Sequence, residues 1–313
     1  MAFADLLIRS TLGIVSPRYR TVADWAEVYR RIIDTKPICD KTKANRWVSV
    51  RHIVSYLGPR VISRVLPHEI AELVKRIHAG HPALAKRVLI EAKNLFNEAV
   101  IYGWIDRNPA FPLKAPPVQV QRHRLSLEHW RAIHAYALAH QPPWVARMLV
   151  LALVSGQRRS DLEKMKPGDV WDDHLHVQQA KTGMRLALPL ALRLDAIGVT
   201  LGEAIEDCRS YAAGVGWLLR KHNGRPVGLA SMSARFEEAR EGSGLVWSGG
   251  LPPSLHECRS LSERLYRAQG INTMVLLGHR HQSMTDLYDD ARDLSNPQWN
   301  TLSIAPGQQR DQA

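Results

Sequence analysis

Apolar side chains recur at helical spacing along most of this chain. Trp25, Val28, Tyr29, Ile32 and Ile33 mark one face of a helix, and Thr21-Val-Ala-Asp24 ahead of them has capping-box spacing, with Asp24 in the place of the usual Glu. A second helix is predicted from about Lys41 to Tyr56, stopping before Gly58-Pro59. A third follows Pro67 and carries Ile70, Leu73, Val74 and Ile77. A fourth runs from about Pro82 to Tyr102, with Leu84, Val88, Ala92, Leu95, Phe96 and Ala99 on its apolar face. Four helices with short connections make a small all-α domain. The first twenty residues have no clear periodicity and read as a short tail.

Asn108 to Gln121 contains four prolines, which forbid a continuous helix and favour an extended connector. This is the clearest domain boundary, and Arg122, His123 and Arg124 follow it directly. Beyond it, helical patterns recur at about 126–140 and 143–154. Leu175–Gln179 and Arg185–Leu190 then read as two short strands around the turn signal Lys181-Thr182-Gly183. Further helices are expected at about 200–212, 228–241, 255–268 and 271–277, and a polar tail from Asn296. The expected fold class is mainly α with a small β-sheet (α+β), a helical domain followed by a mixed α/β domain.

Composition narrows the field. The chain has 313 residues, room for two ordinary domains, with 45% hydrophobic and 23% charged residues. That excludes wholesale disorder, collagen-like sequence and a small disulfide scaffold. The longest strongly apolar run, Met148 to Val154, is too short to cross a bilayer. Asp5 and Arg9 break the pattern of a signal peptide. Cys39, Cys208 and Cys258 are far apart and lack CxxC spacing, as expected of reduced thiols in a cytoplasmic protein. The net charge is +12, and it is uneven: residues 1–121 hold 19 basic and 10 acidic residues (+9), the remainder 23 and 20 (+3). A basic excess in one segment points to a polyanion partner, because each phosphate contact releases condensed counterions. A basic enzyme whose charge only aids solubility is the alternative.

Three segments of the second domain carry phosphate-binding and proton-transferring side chains: Ser155-Gly-Gln-Arg-Arg-Ser-Asp-Leu162, the hairpin tip Ala180-Lys-Thr-Gly183, and Leu255-His-Glu-Cys-Arg259 with Leu277-Gly-His279 and Tyr288. Singly each is weak, since an Arg after a Gly or a Lys on a turn is usually a surface charge. In this order, Gly-x-Arg, Lys-Thr-Gly, His-x-x-Arg, Leu-Gly-His and Tyr closely resemble the tyrosine recombinases or phage integrases, nearest to the lambda-type integrases. His256–Tyr266, Leu276–Asp290, Ser155–Asp169 and the Leu175–Leu190 hairpin carry the likeness, which is strong from about Leu125 to Ile304 and weaker from Thr21 to about Ala115.

The resemblance implies a short tail (1–20), a helical core-type DNA-binding domain (21–115), a linker (116–124), a catalytic domain (125–290) and a C-terminal tail (291–313) that packs against a neighbouring protomer. It implies that the two domains close around duplex DNA like a clamp. It also implies a transesterification in which Arg158 and Arg259 clamp non-bridging phosphate oxygens with forked donors. Tyr288 would be the nucleophile, leaving a 3′-phosphotyrosyl enzyme and a free 5′-hydroxyl. Lys181 would protonate the leaving oxygen, His256 would assist proton transfer at the tyrosine and His279 would hydrogen-bond a phosphate oxygen. Partners implied are double-stranded DNA, three further copies of the chain in a synaptic tetramer and accessory DNA-bending proteins, with no membrane.

No cofactor is expected, because the covalent bond conserves the phosphodiester energy and the sequence has neither a P-loop nor clustered carboxylates. The pairs His174/His176 and His279/His281 read as solvated loop residues rather than metal ligands. Arg122, Arg124, Arg159, Lys41, Lys43 and Arg87 are the candidate DNA contacts. At Arg159 a plain surface role is favoured. Cys258, where relatives have Leu, reads as a buried small residue. Lambda-type integrases carry a further N-terminal domain for arm-type sites, and the stretch before Thr21 shows no strand alternation, so arm binding does not carry over with the resemblance. The rival readings are a chromosome or plasmid resolvase or topoisomerase-like enzyme of the same chemistry, and a catalytically silent DNA-binding regulator.

Overall fold

The computed structural model describes residues 20–118, 122–211 and 216–289. Apart from Arg20, both expected tails lie outside these residues. The chain divides into two units, Met1–Val120 and Gln121–Ala313.

In the first unit, α1 (Val22–Thr35) starts at the capping box: the Thr21 hydroxyl accepts from the Asp24 amide (3.1 Å) and the Asp24 carboxylate accepts from the Thr21 amide (2.8 Å). Helices α2 (Asp40–Leu57), α3 (Pro67–His78) and α4 (Pro82–Ile101) complete the bundle. Trp25, Tyr29, Ile33, Ile53, Leu57, Ile70, Leu89 and Phe96 fill its core, where the Trp25 indole donates to Leu95 O (2.9 Å). One carboxylate is buried among them. Glu91 accepts from Tyr29 Oη (2.7 Å) and from Nε and Nη2 of Arg46 (3.1 and 3.0 Å), so its burial costs little unsatisfied charge.

The proline-rich connector starts later than its sequence indicates. Asn108 donates to Lys93 O and Asn97 Oδ1, Phe111 and Leu113 close turns onto Asn108 and Ala110, and Ala110 is fully buried. Residues 108–113 are therefore folded against α4. The expected linker is also too long at its other end: Arg122 bridges Leu251, and the His123 amide donates to Leu251 O (2.9 Å), which fixes both in the second unit.

The second unit is built around α6 (Pro143–Ser155), an apolar helix buried along almost its whole length. It packs against α5 (Leu127–His140), α8 (Leu201–Ser210), α9 (Leu229–Gly242) and α10 (Glu257–Ala268). A one-turn helix α7 (Arg159–Leu162) follows α6. Strands β1 (Val170–Trp171), β2 (His174–Gln178) and β3 (Arg185–Pro189) form an antiparallel sheet in that order, with Leu175 opposite Leu188 and Val177 opposite Leu186 on the buried face. A second ladder joins β4 (Arg193–Leu194) to β5 (Val199–Thr200). Helices α11 (Thr273–Leu277) and α12 (Gln282–Asp289) end the described chain against α10. The architecture is α+β, and no described helix is long and apolar enough to cross a membrane.

Candidate active site

The chemistry-bearing residues sit where four chain segments meet: the end of α6, the β2–β3 turn, the start of α10 and the stretch from α11 to α12. Gly156 caps α6 in the left-handed region (φ 64°), and a Cβ there would come within 2.9 Å of Ser262 Oγ. The tight turn lets Gly156 O accept from Arg259 Nη1 (2.7 Å) and delivers Arg158 to the site. Arg259 is almost wholly buried. Its Nη2 donates to Leu277 O (2.6 Å) and His279 Nε2 (3.1 Å), and its Nε has no protein partner. Burial, reinforced by Arg158, pulls its pKa down to about 10, so it stays cationic at neutral pH.

An arginine can only donate, so His279 Nε2 is the acceptor and the ring proton sits on Nδ1, facing Thr285 Oγ1 at 2.9 Å. Burial, with Arg259 and Arg158 nearby, lowers the His279 pKa to about 4. His256 occupies the N-cap of α10 and is partly exposed to solvent. Desolvation of the remainder lowers its pKa to about 4, helped by Arg259, Arg158, Lys181 and Arg124. Both imidazoles are therefore neutral at pH 7.

Tyr288, on the last turn of α12, meets both. Its Oη lies 3.4 Å from His256 Nε2, its ring stacks on His279 with centroids 5.3 Å apart, and the Arg259 guanidinium carbon is 5.6 Å from its ring centroid. Lys181 is exposed on the β2–β3 turn, and its charge is one of those felt by His256. The structure thus brings together Arg158, Lys181, His256, Arg259, His279 and Tyr288. A tyrosine hydroxyl beside a neutral imidazole, with two buried or half-buried guanidinium groups alongside, can attack a phosphorus centre and stabilise the charge gathering on its oxygens.

The candidate DNA contacts fare differently. Lys41 and Arg87 are exposed on the first unit. Lys43 is half-buried, with Nζ donating to Asp34 O (2.6 Å). Arg122 donates to Pro252 O (2.6 Å), and Arg159 to Ser233 Oγ. Arg124 requires a correction. It is 6% exposed and ion-paired to Glu257 (3.1 Å), and it donates to Ser260 Oγ (2.6 Å) and Leu287 O (2.6 Å). Buried and held by those contacts, it braces α10 and α12 rather than reaching a phosphate. His174 and His176 lie on strand β2 rather than in a loop, with His176 stacked on Trp171. No cluster of three or more His, Cys, Asp or Glu suited to a metal occurs among the described residues. Cys258 is buried, as its apolar setting suggested, and burial pushes its thiol pKa up.

Sequence reasoning missed the glutamines. Gln157 and Gln179 are buried and hydrogen-bonded to each other (2.9 Å), and Gln179 also accepts from Arg158 Nη1 (2.7 Å). A signal was present. Alternation along β2 puts Gln179 on the inward face with Leu175 and Val177, where a polar side chain has to find partners.

Comparison with known proteins gives a consistent answer. Residues 124–294 match the model of the phage integrase family and residues 23–116 that of the phage integrase central domain. The chain is 38% identical over 286 residues to prophage integrase IntE of Escherichia coli K12, covering 87% of this chain and 76% of the relative. Among solved structures it is similar to a fragment of lambda integrase bound as a dimer to a COC′ core site (TM-score 0.84, 32% identity, covering 91% of this chain and all of that one). It is also similar to a lambda integrase tetramer bound to a Holliday junction (TM-score 0.85, 30% identity, 95% and 83%).

Proposed function

The chain belongs to the phage integrase family, and on that footing we propose that it is a site-specific DNA recombinase whose nucleophile is Tyr288. The observation that carries this reading is the placement of the Tyr288 hydroxyl 3.4 Å from a neutral His256, with its ring against His279 and the buried cation of Arg259. As the phosphodiester enters, Arg158 and Arg259 hold its non-bridging oxygens, and the unpartnered Nε of Arg259 is a donor the phosphate can satisfy. The incoming anion also raises the His256 pKa, which readies the ring to take the tyrosine proton. Tyr288 Oη forms its bond to phosphorus while the bond to the 5′-oxygen breaks, and Lys181 supplies that oxygen with a proton. One phosphodiester is exchanged for another, so a 5′-hydroxyl from a second duplex can reverse the step and complete strand transfer.

Double-stranded DNA is the substrate and a tetramer the working assembly, the arrangement in which lambda integrase holds a Holliday junction. The exposed Lys41 and Arg87 of the first unit supply backbone contacts there. The enzyme acts where the bacterial chromosome lies, in the cytoplasm.

A library of nicked duplexes with a randomised core tests the reading whatever the sequence of the site. The chain should form SDS-resistant adducts whose sequencing yields one enriched core. Tyr288→Phe should bind that core equally well and form none. Adducts from Tyr288→Phe at the wild-type yield would mean that another residue is the nucleophile, and no adduct from the wild-type chain would overturn the recombinase reading.

A further inference from the structure

We infer that Gln179 is a positioning residue of the proposed recombinase site, locking the phosphate-clamping Arg158 and the hairpin that carries Lys181 into one register. The inference rests on the assignment of those two residues and adds the group that couples them. Gln179 has no solvent exposure, and its side chain bonds to three other segments of the site. Oε1 accepts from Arg158 Nη1 (2.7 Å) and from Thr182 Oγ1 (2.8 Å), the neighbour of Lys181. Nε2 donates to Gln157 Oε1 (2.9 Å) and to Leu277 O (2.9 Å).

Those four bonds reach the Gly-x-Arg loop twice, the hairpin tip once and the end of α11 once. Leu277 O in turn accepts from Arg259, and His279 follows two residues later. Gln157 extends the link by donating to Leu276 O (2.9 Å). One amide therefore bears on Arg158 directly, on Lys181 through Thr182, and on Arg259 and His279 through Leu277. The backbone is shaped to fit it. Gly278 adopts φ 62°, and a Cβ there would stand 3.0 Å from Gln179 Nε2.

Two bonds accepted at Oε1 and two donated from Nε2 explain why an amide is needed, since a carboxylate could make only the first pair. A turn lysine on a two-stranded hairpin tip is free to swing, and a half-buried arginine has several rotamers. Sharing one acceptor between Arg158 and the hairpin ties the charge clamp to the proton donor, so that both face the same phosphate. A misplacement of about 1 Å at such a site costs on the order of 100-fold in rate.

The core recovered from the adduct library serves as substrate, in ordinary form and with a bridging 5′-phosphorothiolate, whose thiolate leaves without protonation. Single-turnover rates are taken at saturating full-length enzyme, with DNA affinity and thermal unfolding measured alongside. Gln179→Met keeps the volume and removes all four bonds, and it should cleave ordinary DNA on the order of 100-fold more slowly with affinity unchanged. Of the four bonds Thr182→Val breaks only the hairpin arm, together with the long Met184 amide contact to Thr182 Oγ1 (3.4 Å) inside the same hairpin. Its defect should be largely removed by the sulfur substitution, as for Lys181→Ala. Gln179→Met should be rescued only in part, because Arg158 is released as well. A saturated rate within about two-fold of wild type for folded Gln179→Met or Thr182→Val would overturn the inference, given the far larger cost of misplacement. So would equal defects on both substrates for Thr182→Val, since the hairpin arm would then not act through the proton donor. Failure of Lys181→Ala to be rescued, with Gln179→Met impaired, would overturn the role given to Lys181 instead.

Discussion

At the scale of single residues, the six proposed site residues were legible because each is a chemically distinctive side chain at a fixed spacing from a glycine or a second motif residue. The glutamines were not, because an amide carries no charge and its value lies in partners that are distant in sequence: Gln157 lies 22 residues from Gln179, and Leu277 lies 98 residues from it. The tautomer of His279 was also invisible, since it follows from Arg259 being able only to donate. Both His256 and His279 have pKa values near 4, below the roughly 6.5 of an unfolded histidine. Between these values the unfolded chain binds more protons, so the stability they contribute is full above about pH 6.5 and is lost as pH falls through 4. Urea midpoints should decline across that window, and His279→Gln should flatten the decline. The same shift should place the acid limb of cleavage by subsaturating enzyme near pH 4 to 5 rather than 6.5. Gly278→Ala should destabilise by about 1–3 kcal/mol, because it forces an L-residue into the left-handed region against Gln179. Urea denaturation measures it directly.

At the scale of elements, what could be read depended on length. Helices of twelve residues or more repeat their apolar face three times or so, and α1 to α6 begin and end within a few residues of where periodicity, Pro67, Pro82, Pro143 and Gly58 put them. Strands β1, β4 and β5 have two residues each, too few for alternation to register, and are held by backbone pairing to neighbours already in place. Helix α12 was missed for a related reason. At eight residues it repeats its apolar face barely twice, and polar anchors help to dock it: Arg124 holds Leu287 O, and Ser260, itself bonded to Arg124, donates to Tyr288 O (3.1 Å). The residue that looked like a DNA contact is thus the brace behind the helix of the proposed nucleophile. Arg124→Gln leaves Glu257 buried without its cation and should cost about 3 kcal/mol, read by thermal denaturation. Arg124→Met combined with Glu257→Met should cost less than the sum of the two single changes, because the pair then vanishes together.

At the scale of the whole molecule, charge and chemistry are divided between the two units. Residues 1–121 carry a net +9 and none of the proposed catalytic residues, whereas the remainder carries all six on a net of +3. Cations inside the second unit are largely committed to the protein: Arg124 to Glu257, Arg259 to Gly156 and Leu277, and Arg220 to the backbone of Cys208 and Arg209. Exposed cations such as Lys41 and Arg87 are not buried in this way, and their counterions are free to leave when DNA binds. Salt therefore separates the two kinds of arginine and lysine where affinity alone cannot. Plots of log affinity against log salt for the intact chain should be steep, and Lys41→Gln or Arg87→Gln should each reduce the slope by about 1 with saturated cleavage unchanged. Arg124→Gln should leave the slope as it is and act on stability and on cleavage. A slope unaltered by both surface changes would remove Lys41 and Arg87 from the DNA-binding face. A slope reduced by Arg124→Gln in protein that is still folded would mean that this arginine leaves Glu257 to meet the phosphate backbone.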